Sequence, residues 1–398
     1  MIHAFIIGSV LFAFGHHQNL ECPKWSYYGA FLISSITTIA TGYYFVVHLQ
    51  SGDTLAYFQS AVEFNKEHAA NITSYLEHLL STEFPEHSSN WHSIFFVKTI
   101  SPIVYLADGN YWLTGLYLTL FNFILSWIAM RYLIAIFNRK WLIYLSIFLI
   151  PSVNIWSGGI FKEAIANPLF LILVSITLYR VRRYSFPSLP EWTLMLLGSI
   201  ILLESRFYLF GIWIIFSFTC FWIETFSKQK IMLWGGLGIV IIAGFLGAQL
   251  LHPWLRPSRL PLTLFEIYEQ FQATPSSSSF SLGTFQPDYW HLVISSPLAL
   301  LTGLFRPSFT DIQSFYWIPF QIEKLLILVL TLLSLWKVRR IEISQTFWIA
   351  VFFISILTIS LTLVTPNFGS LMRYESAYLP FLVITIGWIP LRKVDLMN

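Results

Sequence analysis

Charged residues are scarce in this sequence. Asp, Glu, Lys and Arg make up only 11% of its 398 residues, where soluble globular proteins carry about 25%. That scarcity excludes an ordinary water-soluble domain. The net charge of +3 is spread thinly, and no nucleic acid is expected among the partners. Cysteine is nearly absent as well. Cys22 and Cys220 fall in different predicted environments and call for no disulfide. Histidines 48, 68, 78, 87 and 92 crowd one stretch, but none shows H-x-x-x-H spacing, so no metal ligand is assigned. Ten-residue segments of alternating polarity are missing, which argues against a β-barrel. The opening "MIHAFIIGSVLFAFGHH" lacks a basic n-region and a small-residue cleavage site, so it reads as a short first helix and not as a cleaved signal. No internal repeat stands out, which weakens an inverted-repeat transporter.

What the chain has is apolar length: 56% of it is hydrophobic and 18% aromatic. Several runs exceed the roughly 18 residues that cross a hydrocarbon core. The predicted fold class is an all-α polytopic membrane protein forming a single transmembrane domain over 1–398. Spans are expected at 27–48, 111–137, 141–156, 164–180, 191–204, 206–226, 231–251, 316–336, 345–365 and 376–391, which with the first helix makes about 10–11. The run 191–226 must be two helices, because 36 residues at ~1.5 Å per residue would reach about 54 Å. Its polar interruption, "ESR" at 204–206, marks the break.

Basic residues orient the array. Lys24, Arg139, Lys140, Arg180, Arg182, Arg183, Lys228, Lys230, Lys337, Arg339, Arg340, Arg392 and Lys393 fall in loops on one side if the spans alternate. By the positive-inside rule that side is the cytoplasm. A crossing at 292–305 would put "KVRR" outside, so that stretch is expected to be interfacial or re-entrant. Fifteen of the twenty acids then lie outside, and function is expected there.

Two outer loops are too long to be bare connections. In the first, 49–110, Leu55, Phe58 and Val62 recur at helical spacing and predict an amphipathic surface helix over 54–66. A second apolar element at 93–107 is expected to break at Pro102. The other loop, 252–315, contains the low-complexity "PSSSSFS" at 275–281, the composition of a flap.

Candidate chemistry gathers on that side. Asp53 of "SGDTLAY" opens the predicted surface helix, where it serves either as an N-cap or as a base. Tyr57, one turn on, shares its face. In "NIWSGGIFKEAIANP" (154–168) two glycines permit a close backbone turn before Lys162 and Glu163. The plain alternatives are a snorkelling lysine and an acid that complements a helix dipole. Arg206 is expected below the headgroups in a water-filled cavity, where a buried arginine is functional by default; its plain role is a pair with Glu204. Arg306 and Arg373, the latter beside Tyr374, add cations next to apolar runs. Three converging arginines suit an anionic lipid headgroup, since guanidinium grips phosphate in a bidentate way.

These residues carry a resemblance. "GDTLAYFQSA" after an early span resembles the first outer-loop motif of GT-C membrane glycosyltransferases, in which an Asp is the catalytic base or a metal-contacting acid. "NFGSLMRYESAYLPFL" (367–382) resembles the R-Y-R-x-P-x-x-P run before their last span. "PSVNIWSGGIFKEAI" and "LFRPSF…IEKLLIL" are similar to bacterial envelope proteins near that superfamily. The chain departs from the pattern at Gly52, where many members place a second acid, and in "RYES", which lacks a second arginine. Metal use, with Mg or Mn as the divalent cofactor in question, and the identity of the sugar stay open.

The resemblance implies a GT-C-like enzyme of a bacterial inner or plasma membrane with an extracytoplasmic site. Its partners would be the lipid bilayer, a polyprenyl-phosphate-linked sugar donor, and a glycan, lipid or protein acceptor. Asp53 and Glu163 are then the expected catalytic acids, with Tyr57, Lys162, Arg206, Arg306, Arg373 and Tyr374 binding substrate. A neighbouring resemblance is to Wzy-type exopolysaccharide or O-antigen polymerases, whose "GTDT…Y" and "RQ" stretches echo "SGDTLAY" and "KEAI". Readings from other classes are a lipid-linked-sugar transporter, which needs ionisable residues at mid-bilayer on several helices, and a non-catalytic envelope assembly subunit.

Overall fold

A computed structural model describes residues 2–17, 22–69, 71–81, 91–226, parts of 235–249, 256–273, 276–283, 286–338 and 345–391. The span predicted over 231–251 lies largely outside the described residues, as do the basic positions 228, 230, 339, 340, 392 and 393. The described chain is helical apart from turns and one isolated bridge between Ser279 and Asn367. The first half contains α1 (Ile2–His17), α2 (Lys24–Tyr43, continued by a π-turn over Tyr44–Leu49), α3 (Asp53–His68), α4 (Ile72–Leu80), α5 (Trp91–Leu106), α6 (Tyr111–Phe137), α7 (Lys140–Phe148), α8 (Pro151–Ser157) and α9 (Glu163–Arg182). After α10 (Leu189–Phe226) come α11 (Leu260–Ala273), α12 (Tyr289–Phe305), α13 (Ile318–Val338), α14 (Gln345–Val364), α15 (Phe368–Glu375) and α16 (Leu379–Leu391).

Among the described residues six helices are long and apolar enough to cross a membrane, or seven if the bent pair α7–α8 is counted as one span. This architecture is consistent with a multi-pass integral membrane protein. α9 is its axis. Every residue from Glu163 to Leu178 is buried, because a helix that is apolar all round finds its place only inside other helices. One core packs α1, α2, α5, α6 and α7 against α9. A second packs α10 and α12–α16 against α8 and α9.

α10 is a hairpin. Its backbone leaves helical geometry at Arg206 (φ −149°, ψ 68°), within the predicted "ESR" break. Glu191 pairs with Arg180 at the C-terminal end of α9, Arg206 pairs with Glu163 at its N-terminal end, and Glu224 accepts a hydrogen bond from Tyr184 back at the C-terminal end. The chain therefore rises along α9, turns at Arg206 and returns.

The same logic separates the two ends of the array. Trp25 stacks on Trp141, and Arg182 lies over Phe137 and shares a small apolar cavity with Phe347 and Trp388. The starts of α2, α7 and α14 and the ends of α6 and α9 thus meet at one end, which carries Lys24, Lys140 and Arg182. Asp53, Lys162, Glu163, Arg206 and Arg373 meet at the other.

Two expectations are corrected. The 141–156 run is not one straight span: it bends by 51° between α7 and α8, where Pro151 starts a new helix. The 93–107 element does not break at Pro102, because α5 runs through it. The carbonyl of Lys98, which Pro102 cannot serve, instead accepts a hydrogen bond from Ser101 Oγ at 3.0 Å. The surface helix expected at 54–66 is α3, and it is half buried. Ala61 is enclosed, and Asn65 donates to the Ser101 carbonyl at 2.9 Å, joining α3 to α5. The 292–305 stretch lies in α12, a helix of 17 residues whose Gly303 packs directly on α14.

Candidate functional site

The site is a chain of alternating charges drawn from four separate segments. α3 contributes Asp53, the turn into α9 contributes Lys162 and Glu163, the α10 kink contributes Arg206, and α15 contributes Arg373. Arg373 Nη1 donates to Asp53 Oδ2 at 2.7 Å, and its Nε donates to Glu163 Oε2 at 2.8 Å. The other oxygen of Glu163 accepts from Arg206 Nη2. The guanidinium of Arg206 stacks on Tyr374, 5.0 Å from the ring centroid, and its Nε is buried without a partner.

The local sequence explains the convergence. After α8 the chain turns through Gly158 and Gly159. Gly159 has φ +81°, a left-handed conformation that favours glycine. A Cβ on Gly158 would sit 2.5 Å from Thr38 Oγ1 and 2.9 Å from the Asn154 carbonyl. The double glycine therefore lets the turn press against α2 and aim Lys162 and Glu163 inward. α3 begins after Gly52, another left-handed residue (φ +116°). Asp53 occupies the first turn of α3, yet the hydrogen bond its carboxylate makes goes to Arg373 and not to a first-turn N–H.

Lys162 has no ion pair among the described residues. Its Nζ donates to Ser93 Oγ at 3.0 Å and lies 5.5 Å from the Tyr57 ring centroid. Burial, reinforced by Arg206 and Arg373, pulls its ammonium down to about 8 against the opposing pull of Glu163 and Asp53. Tyr57 shares Ser93 as a hydrogen-bond partner, and burial and the Asp53 charge raise its phenol. Sequence reasoning missed Ser93, because nothing in the apolar run "SIFFVKTIS" marks one serine above another.

Two assignments need correction. Arg306 is not in the cluster. It is bound to Asp311 on its own loop and stacks over Phe368 at 5.2 Å and Phe280 at 5.9 Å. Burial would raise the Asp311 carboxyl, but hydrogen bonds from Arg306 and Ser308 hold it at about 2. Two arginines converge, not three. Arg206 pairs with Glu163 and not with Glu204, which accepts from Trp91 Nε1. Glu163 commits both oxygens to guanidiniums, one to Arg206 and one to Arg373.

Beside the cluster lies a cavity of about 1130 Å³. Ile36, Ala40, Tyr44, Trp156 and Phe320 line it, together with Asp53 and Arg373 of the cluster. The Asp53 side chain is 55% exposed, against 3% for Glu163, so of the two acids it is Asp53 that a ligand meets. A divalent cation does not fit this donor set. Among the described residues no three His, Cys, Asp or Glu side chains converge, and the oxygens nearest one another already accept from Arg373 and Arg206. No step is derived through a metal. Comparison of the chain with protein-family models, curated proteins and solved structures finds no match.

Proposed function

We propose that the protein is a GT-C-like membrane glycosyltransferase that moves a sugar from a polyprenyl-phosphate carrier to an acceptor hydroxyl on the extracytoplasmic face. The observation that carries this reading is the mainly apolar cavity whose lining includes Asp53 and Arg373. A prenyl tail needs an apolar groove, and its phosphate needs a cation at the mouth. Among the described residues Arg373 Nη2 makes no hydrogen bond, and Nη1 and Nε are held by carboxylates that fix the plane of the guanidinium.

In the transfer, the bond between the anomeric carbon and the carrier phosphate breaks, and the acceptor oxygen bonds to that carbon. The acceptor proton passes to the exposed carboxylate of Asp53. Negative charge grows on the departing phosphate. Arg373 and, behind it, Lys162 and Arg206 stabilise that charge without having to reorganise. α3, α4 and α5 form the outer layer that covers the site in this reading.

The test uses the full chain in lipid nanodiscs with a prenyl-phosphate sugar as donor. Wild-type protein is expected to bind the donor and release prenyl phosphate. Ala40→Trp, which narrows the cavity, and Arg373→Ala, which removes its cation, are each expected to weaken binding sharply. Unchanged binding in both variants would overturn the reading.

A further inference from the structure

The buried charges at the site end do not stop at the arginine cluster. α13 carries Glu323 and Lys324 side by side, 4% and 1% exposed. Neighbours on a helix project about 100° apart, so the two side chains reach different helices. Glu323 accepts from the backbone N–H of Ser152 at 2.8 Å and from its hydroxyl at 2.7 Å. That ties α13 to the start of α8, whose far end is the glycine turn into Lys162 and Glu163. Lys324 Nζ donates to Glu375 Oε2 at 2.5 Å and to the Gly303 carbonyl at 2.6 Å. That ties α13 to the last turn of α15, two residues beyond Arg373, and to α12.

α15 is short, only Phe368–Glu375, and something must fix it at both ends. At its start, Asn367 bonds Ser276 Oγ at 2.6 Å and Ser278 Oγ at 3.1 Å, so the serine-rich strap clasps the N-cap. At its finish, Lys324 grips Glu375. Gly303 makes this approach possible, since a Cβ there would lie 2.5 Å from both Thr358 and Thr362 and 3.2 Å from Glu375 Oε1.

A buried ion pair is a poor way to gain stability. Desolvation offsets most of the attraction, and apolar replacements hold a fold as well or better. What the pair supplies is a fixed geometry. We propose that Lys324 is a positioning residue for the site: by holding Glu375 it sets the rotation of α15 that presents Arg373 to the cavity. α13 is suited to be the reference body. The same helix lines the cavity through Phe320, one turn before Lys324, and its Glu323 holds the other half of the cluster.

The inference rests on the reading of Arg373 as the phosphate-binding cation. The informative variant is the neutral pair Lys324→Met with Glu375→Gln, which removes both partners of the ion pair together while Glu323 keeps its two hydrogen bonds from Ser152. Farnesyl phosphate binding and thermal unfolding are measured on full-length protein in nanodiscs. The neutral pair is expected to keep the wild-type melting temperature and lose affinity by about tenfold to a hundredfold, the scale of a misplaced binding group. In an Arg373→Ala background the same pair is expected to change the residual affinity by nothing further, because it acts only through Arg373. Wild-type affinity in the neutral pair would overturn the proposal, as would an equal loss with and without Arg373. If wild-type protein binds no farnesyl phosphate at all, the phosphate reading falls first and this inference goes with it.

Discussion

Asp53 poses the sharpest question at the scale of single residues, whether it caps a helix or does chemistry. Asn caps about as well as Asp but takes up no proton at neutral pH. Asp53→Asn is therefore expected to insert and unfold like wild type while turnover falls by roughly 10²–10⁴, the usual contribution of a general base. A thermal melt measures the first quantity and sugar release from a prenyl-phosphate donor the second. Full turnover in the Asn variant would return Asp53 to a structural role. Lys162 makes a second prediction, in pH. Its folded value, about 8, lies below its ordinary value of 10.5. A lowered lysine weakens the fold below 8, and that penalty disappears as pH rises from 8 to 10.5. Activity should move the other way, falling above pH 8 as the site loses a cation, with Lys162→Arg carrying the falling limb to higher pH. A pH–rate profile set beside a pH–melting profile checks both signs, and parallel declines would instead indicate alkaline unfolding.

Some of these residues were legible in the sequence and some were not, for reasons of range. Asp53, Lys162, Glu163, Arg206 and Arg373 stand out because ionisable groups beside apolar runs are costly, and the structure brings all five together. Which partner each would choose was not legible. Arg206 passes over Glu204, two positions away, for Glu163, because the backbone reverses at Arg206 and points its side chain back at α9. Arg306 stood in the same kind of context, yet Asp311 five residues on satisfies it locally. A linear reading cannot tell a cation with a partner within its own loop from one left for the site.

Among the elements, the division of α10 into two helices was foreseen from length and from the polar "ESR" interruption, since the 36 residues of 191–226 in one helix would span about 54 Å. The bend between α7 and α8 was not, because the run stays apolar through the bend and only Pro151 marks it. The turn that follows α8 makes the element-scale prediction. Gly158→Ala would force its Cβ against Thr38 Oγ1 and the Asn154 carbonyl, an overpacking that costs about 1–3 kcal/mol. A lowered melting temperature is expected. Thr38→Ala should rescue it only in part, since the carbonyl stays where it is. An unaffected Gly158→Ala protein would show that the turn is looser than drawn.

For the molecule as a whole, the ends of the array are distinct but the side each one faces rests on the positive-inside rule. That rule puts the arginine cluster outside. With Cys22 and Cys220, both buried, replaced by alanine, single cysteines at Ser276 and Gln345 are expected to react differently with an impermeant maleimide in intact cells: Ser276 is labelled and Gln345 is not. Labelling of Gln345 alone would invert the molecule and place its chemistry in the cytoplasm.

The ion pairs of the site also keep time. Glu163 and Arg206 are 43 residues apart, Glu163 and Arg373 are 210, and Asp53 and Arg373 are 320. A ribosome completes the first pair at residue 206 and the other two together at residue 373. Glu163 waits through only one hairpin for its first arginine, and Arg206 is made with its acid already there. Asp53 stays without its cation until residue 373 has been made. A nascent protein halted before that point would already possess its central helix and hairpin but not the joined cluster.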